Sequence, residues 1–138
     1  MTLAPLLAAG PVIQLHAFSA IAAFALGLVQ LLAPKGTLPH RSLGFIWVAL
    51  MVVVAGSSFF IHTMRSWGDW SPIHILSVVT LVALPGAVAH ARGHRVAAHK
   101  RAMTMIFAGA LVIAGFFTFM PGRIMHEVAF GVAVPAAP

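Results

Sequence analysis

The sequence contains no cysteine, no tyrosine and very little charge. Without cysteine the chain has no disulfide framework, no thiolate metal site and no c-type haem, whose covalent attachment needs a Cys-x-x-Cys-His run. Charged residues make up 7% of the 138 residues, whereas a soluble domain carries about 25%. Two Asp and Glu and eight Lys and Arg are too few to cover a water-soluble globule with polar groups. The composition therefore excludes an ordinary soluble enzyme, and it excludes disorder, which combines low hydrophobicity with abundant charge.

What the chain does contain is four long apolar runs. They cover residues 12–32, 42–61, 73–89 and 102–120, and none includes Asp, Glu, Lys or Arg. A helix needs about 20 apolar residues to cross a bilayer, and continuous apolar runs favour helices over barrel strands. Because the connections are short, consecutive helices are expected to be antiparallel. We therefore expect an all-α integral membrane protein, a single up-down four-helix bundle over residues 1–138.

The breaks between the runs agree with this interpretation. Pro34 and Pro39 separate the first two helices, and Ser71 is a suitable N-cap with Pro72 at the first helical position. Pro85 lies late in the third run, where a kink is expected.

Lys and Arg predict the orientation. Six of them lie after the first and third runs: Lys35, Arg41, Arg92, Arg95, Lys100 and Arg101. Only Arg65 and Arg123 lie on the opposite side. The positive-inside rule then places both termini outside, in a multi-pass protein of the bacterial inner (plasma) membrane. Since residues 1–10 contain no Lys or Arg, we interpret the first helix as retained rather than as a signal peptide. The same distribution favours contact with lipid over nucleic acid, which needs a water-facing basic patch.

Four of the eight histidines stand at or near the starts of successive helices. These are His16, His40, His74 and His99. In an up-down bundle the first and third helices are diagonal, and so are the second and fourth. We therefore expect His16 to face His74 at the outer end and His40 to face His99 at the inner end.

Such pairs suit b-type haem, which takes two imidazoles from facing helices on opposite sides of the macrocycle. Small neighbours such as Gly44 and Ser77 leave room beside the ligands, and Arg41 and Arg101 could pair with propionates. The leading hypothesis is one or two bound haem b groups in an electron carrier. It would pass electrons between a quinol or small reductant and an acceptor or larger complex. Such a carrier can be a component of an oxidoreductase without being an enzyme itself.

Three other interpretations stay open. Histidine at a helix end can simply be an interfacial side chain with a wet polar tip. A second set, His62, Met64, Met125 and His126, combines thioether and imidazole groups that suit copper handling on the outer face. Small residues along the helices also fit a non-catalytic accessory subunit that docks against partner helices.

The chain resembles a family of small bacterial predicted membrane proteins of unknown function. The matching stretches are Lys35-Gly36-Thr37 with His40-Arg41 and Gly44, Ser71-Pro72-Ile73-His74 with Leu76-Ser77, Ala91-Arg92 with His99, and Gly115-Phe116-Phe117-Thr118-Phe119 with Pro121-Gly122-Arg123. They extend over most of the chain. The resemblance implies a four-helix membrane protein and brings no activity with it.

A second, architectural resemblance is to cytochrome b-561 proteins, which hold two haems between alternate helices on opposite sides of the membrane. It implies axial ligand roles for His16, His74, His40 and His99. This chain differs in lacking flanking helices and a clear donor pocket.

Overall fold

The structure is a computed structural model, and it describes residues 1–62, 68 and 70–131. Its regular structure is helical, as expected. The helices are α1 (Ala4–Leu7), α2 (Pro11–Leu32), α3 (Leu38–Ser58), α4 (Pro72–Arg92), α5 (Val96–Thr118) and α6 (Ile124–Phe130). Within α5, residues Phe107–Ile113 form a π-helical segment.

Helices α2 to α5 are each long and apolar enough to cross a membrane, with 22, 21, 21 and 23 residues. Large apolar side chains on their outer faces are exposed, such as Val82 at 73% and Phe116 at 69%. In a bilayer these side chains contact lipid. The expected all-α fold with four spans is thus confirmed.

Two helices begin earlier than the apolar runs predict. Helix α3 starts at Leu38 rather than residue 42, because the Thr37 hydroxyl accepts the His40 N–H at 3.3 Å and caps the first turn. Helix α5 starts at Val96 rather than residue 102, and the His99 N–H donates to the Arg95 carbonyl at 3.0 Å. As a result, His40 and His99 lie inside the first turns of their helices and not in front of them.

The four spans form a closed ring of neighbours. Helix α2 packs on α3, α3 on α4, and α4 on α5, while the π-helical segment of α5 returns to α2. The centre is filled by Ala23, Trp47, Met51, Leu84 and Phe107. Because each helix packs on the next, α2 and α4 lie on one diagonal and α3 and α5 on the other.

Trp47 and Phe107 hold α2 close to its neighbours. The Trp47 Nε1–H donates to the Ala23 carbonyl at 2.9 Å, a bond between α3 and α2. A Cβ at Gly27 would lie 2.5 Å from the Phe107 ring and 2.9 Å from Trp47 Nε1. Only glycine allows α2 to approach these two rings so closely.

The two ends of the bundle differ in chemistry. We call one the basic end, where Lys35, Arg41, Arg92, Arg95, Lys100 and Arg101 gather at the α2–α3 and α4–α5 connections. We call the other the serine end, after the buried Ser57, Ser58, Ser71 and Ser77.

The short helices α1 and α6, which the apolar runs do not predict, pack together. The Thr2 N–H donates to the Val128 carbonyl at 3.1 Å. Leu6 is fully buried.

Candidate functional site

His99 at the basic end is oriented by a backbone carbonyl of the neighbouring helix. Its Nδ1 lies 2.8 Å from the Ala87 carbonyl oxygen of α4. A carbonyl oxygen only accepts, so Nδ1 carries the proton and donates. The lone pair of the neutral ring is then on Nε2. This is the arrangement by which proteins orient a histidine that ligates a metal.

His40 lies at the same end, on the diagonally opposite helix. Gln30 of α2 donates from Nε2 to the His40 carbonyl at 2.8 Å, which ties the first turn of α3 to the end of α2. The His40 Nδ1 is buried and has no hydrogen-bond partner among the described residues. His40 and His99 thus lie at the same end of the bundle, on α3 and α5.

Buried polar atoms without partners concentrate at the basic end. In the described part of the chain four such side-chain atoms occur: Gln30 Oε1, His40 Nδ1, His90 Nδ1 and His74 Nε2. The first three come from α2, α3 and α4 at the basic end. Leaving such an atom unsatisfied costs about 1–3 kcal/mol, so each of the three is expected to meet water or another polar group.

Sequence reasoning missed Gln30 and His90. His90 lies one turn after Ala87 on α4, the residue that orients His99. Gln30 could have been noticed as a polar residue near the end of an otherwise apolar run.

At the serine end, His16 contacts the adjacent helix α3. Its Nδ1 lies 3.0 Å from the Val54 carbonyl and 3.0 Å from the Ser57 hydroxyl. Because the carbonyl can only accept, Nδ1 is the protonated nitrogen here too. The half-buried ring therefore also has its lone pair on Nε2.

His74 is 2% exposed and begins α4 as part of a capping box. Its Nδ1 lies 3.1 Å from both the backbone nitrogen and the hydroxyl of Ser71. Nδ1 accepts the Ser71 N–H in one tautomer; in the other it donates to the Ser71 hydroxyl, which frees the Nε2 lone pair. Nε2 is buried and lacks a partner within the described residues. His74 thus stabilises a helix start and still presents an unsatisfied nitrogen.

A serine that sequence reasoning missed, Ser58, joins Ser77 near His74. The Ser58 and Ser77 hydroxyls lie 2.5 Å apart and join α3 to α4, while the adjacent Ser57 contacts His16. Ser77 lies three residues after His74 on the same face of α4. The pair Ser57-Ser58 is visible in the sequence as the polar end of the second apolar run.

Aromatic rings surround His74. Its ring centroid lies 5.9 Å from Phe59, 5.8 Å from His62 and 5.5 Å from Trp70. The imidazoles of His62 and His74 stack at an interplanar angle of 23°.

The alternative set of outer ligands is only partly described. The His126 Nδ1 lies 2.8 Å from the Phe119 carbonyl, and its ring lies 4.9 Å from that of Phe130. Met125 precedes it in α6, and Met64 lies outside the described residues. Residues 1–62, 68 and 70–131 contain no group of three or more His, Asp or Glu that could hold a metal ion.

The two arginines expected near the inner histidines are exposed. Arg41 follows His40 in the first turn of α3, and Arg101 lies two residues after His99 in α5. Both guanidinium groups are therefore available at the basic end.

Four apolar spans around a filled core, with polar sites at both ends, define a multi-span α-helical membrane protein. Residues 13–134 match the family described as "Predicted membrane protein (DUF2306)", and the chain belongs to this family. The resemblance to a predicted membrane protein family is thereby confirmed. Neither the curated proteins nor the solved structures gave a match.

Proposed function

We propose that this protein is a transmembrane electron carrier that binds b-type haem between diagonally opposed histidines. The observation that carries the proposal is the arrangement at the basic end. There, His99 has Nδ1 held by a carbonyl 2.8 Å away, and His40 lies in the first turn of the diagonally opposite helix α3. The unsatisfied atoms of Gln30, His40 and His90 lie at the same end.

The residues at the basic end fit the group. His99 presents Nε2, and His40 supplies the second imidazole from the other diagonal helix. Gln30 holds the first turn of α3 in place through the His40 carbonyl. The buried His90 Nδ1 can donate to a propionate once it carries a proton.

The exposed Arg41 and Arg101 add charge-assisted partners for propionates at the edge of the bundle. Together these roles use polar side chains from all four spans.

The serine end offers a second pair. His16 has Nδ1 held by the Val54 carbonyl, and the buried Nε2 of His74 lacks a partner among the described residues. His16 lies on α2 and His74 on α4, the other diagonal. We therefore propose one haem b at the basic end and a second at the serine end.

When bound, haem supplies a one-electron carrier whose potential depends on its axial ligands and burial. The chain holds the imidazoles and supplies cations at the basic end. The side chains of Trp47 and Phe107 fill the bundle between the two ends and exclude water. In this proposal the donor is a quinol or small reductant, and the acceptor is a small molecule or a larger membrane complex. The architecture is similar to that of cytochrome b-561 proteins.

The basic end lies in the cytoplasm according to the positive-inside rule, so both termini lie outside in the bacterial inner membrane. The protein would then act as a component of an oxidoreductase system rather than as an enzyme alone.

The test is a reduced-minus-oxidised visible spectrum of protein purified from haem-replete cells. We expect sharp haem bands, and His99→Ala should remove roughly half of the bound haem if each end holds one group. His94→Asn is the matched control, because His94 is an exposed histidine at the same end with φ 56°, a conformation that asparagine tolerates.

A colourless protein would contradict the proposal and favour the accessory-subunit interpretation. Equal loss of haem in His99→Ala and His94→Asn would show that the basic-end pair is not the ligand pair.

A further inference from the structure

A groove of about 400 Å³ runs along the lipid-facing side of the bundle between α3 and α4. Helix α3 lines it with Phe45, Val48 and Val52, and α4 contributes Leu81, Pro85 and Arg92. Arg92 is the only charged residue in its lining, and no histidine takes part. The groove is therefore separate from the histidine sites.

The length of the groove matches one leaflet of a bilayer. Leu81 and Arg92 are eleven positions apart in α4, which is about 16 Å along the helix at about 1.5 Å per residue. The hydrocarbon core is about 30 Å thick, so half of it is about 15 Å. A groove that starts at the basic end and stops near the midplane suits a single acyl chain better than a membrane-spanning ligand.

The charged residues at the open end of the groove are all positive. Arg92 is exposed and ends α4, among the six Lys and Arg of the basic end. The only two carboxylate side chains of the chain are Asp69, in the α3–α4 connection, and Glu127 in α6. Glu127 lies at the serine end, so no acidic side chain among the described residues balances the positive charge at the basic end.

We propose that this groove binds one glycerophospholipid with an anionic headgroup. Its acyl chain lies against Phe45, Val48 and Val52 on one side and against Leu81 and Pro85 on the other. Its phosphate pairs with Arg92 at the level where the polar headgroups begin. A lipid held in this way differs from bulk lipid because a concave apolar surface and a fixed cation act on the same molecule. The inference does not depend on haem binding.

The experiment is native mass spectrometry of the detergent-purified protein titrated with phosphatidylglycerol or with phosphatidylcholine of the same chain length. We expect wild type to retain phosphatidylglycerol preferentially as a single bound lipid. Arg92→Gln should weaken that binding roughly fivefold, the ratio expected for losing one cation near an anionic lipid. Arg95→Gln removes the same charge from an exposed residue at the same end, outside the groove, and should leave the binding unchanged.

A second pair of variants tests the groove without changing any charge. Val52→Phe should fill it and weaken binding of both lipids, because Val52 lines the groove and is 46% exposed. Val82→Phe adds the same volume at a 73% exposed position of α4 outside the lining and should have no effect.

Equal retention of the two lipids by wild type would overturn the proposal. So would equal losses in Arg92→Gln and Arg95→Gln, which would indicate diffuse surface charge, or unchanged binding in Val52→Phe. If Arg92→Gln does not fold, the valine pair still decides whether the lipid occupies the groove.

Discussion

The His99 ring donates its Nδ1–H to the carbonyl oxygen of Ala87 across the α4–α5 interface, at 2.8 Å. This contact sets the ring orientation before any cofactor binds. It also predicts which ring nitrogen carries a proton, and this can be measured in the cofactor-free protein.

We predict that the His99 and His16 rings each carry a proton on Nδ1 in the cofactor-free protein. The reason is that each has Nδ1 within 3.0 Å of a backbone carbonyl, to which only a protonated nitrogen can donate. Long-range ¹H–¹⁵N correlation spectra in detergent micelles report the tautomer, and exposed His94 serves as the reference. Spectra showing an unprotonated Nδ1 at His99 or His16 would contradict the hydrogen bonds described above.

His74 is expected to have two roles that use different tautomers: as a cap its Nδ1 accepts the Ser71 N–H, and as a ligand its Nε2 holds the lone pair. His74→Ala removes the side-chain acceptor of the capping box and should lower the free energy of unfolding by about 1 kcal/mol. His74→Gln keeps an acceptor at this position and should lose less. Both variants remove the imidazole, so both should lose the haem proposed at the serine end. Thermal unfolding and the visible spectrum, measured on the same samples, separate the two roles. Retained haem in His74→Gln would remove His74 from the ligand set.

Gly27 is expected to tolerate no larger side chain. Gly27→Ala places a Cβ 2.5 Å from the Phe107 ring, and such overpacking of a core typically costs about 1–3 kcal/mol. Gly56→Ala is the control, since a Cβ there meets no atom within 4 Å. Unfolding in a graded detergent series measures both. Equal stability of the two variants would show that Phe107 and Trp47 move aside without loss.

Ser58 and Ser77 should be energetically coupled. Their hydroxyls are 2.5 Å apart between α3 and α4, and hydrogen bonds between membrane helices contribute about 0.6 kcal/mol on average. A double-mutant cycle of Ser58→Ala and Ser77→Ala should give a coupling free energy of that order. Strictly additive losses would mean that the contact contributes nothing to stability.

The apolar runs predicted the four spans because a bilayer requires a length and a composition that few other structures share. They failed at Leu38 and Val96, since Arg41, Lys100 and Arg101 interrupt the runs while the helical hydrogen bonding continues. They could not show α1 and α6, because these short helices depend on each other through contacts such as Thr2 with Val128.

The sequence showed which histidines lie at helix starts and are candidate ligands. It did not show which residues form hydrogen bonds with them. That Ala87 orients His99, or that Gln30 reaches the His40 carbonyl, depends on how neighbouring helices are rotated and shifted. Ser71 was predicted as an N-cap. Its second role, in which its hydroxyl and N–H orient the His74 ring, could not be predicted for the same reason.

The π-helical segment Phe107–Ile113 lets α5 hold one residue more than a continuous α-helix between the same two ends. Its N–H groups bond one residue further back than in an α-helix, so the segment accommodates an additional residue. Deleting one residue there would allow ordinary α-helical bonding while the helical faces before and after the segment keep their orientation. Phe116, beyond the segment, would still face lipid. The same deletion in an α-helical part of α5 would turn everything beyond it by about 100° and exchange whole faces of the helix.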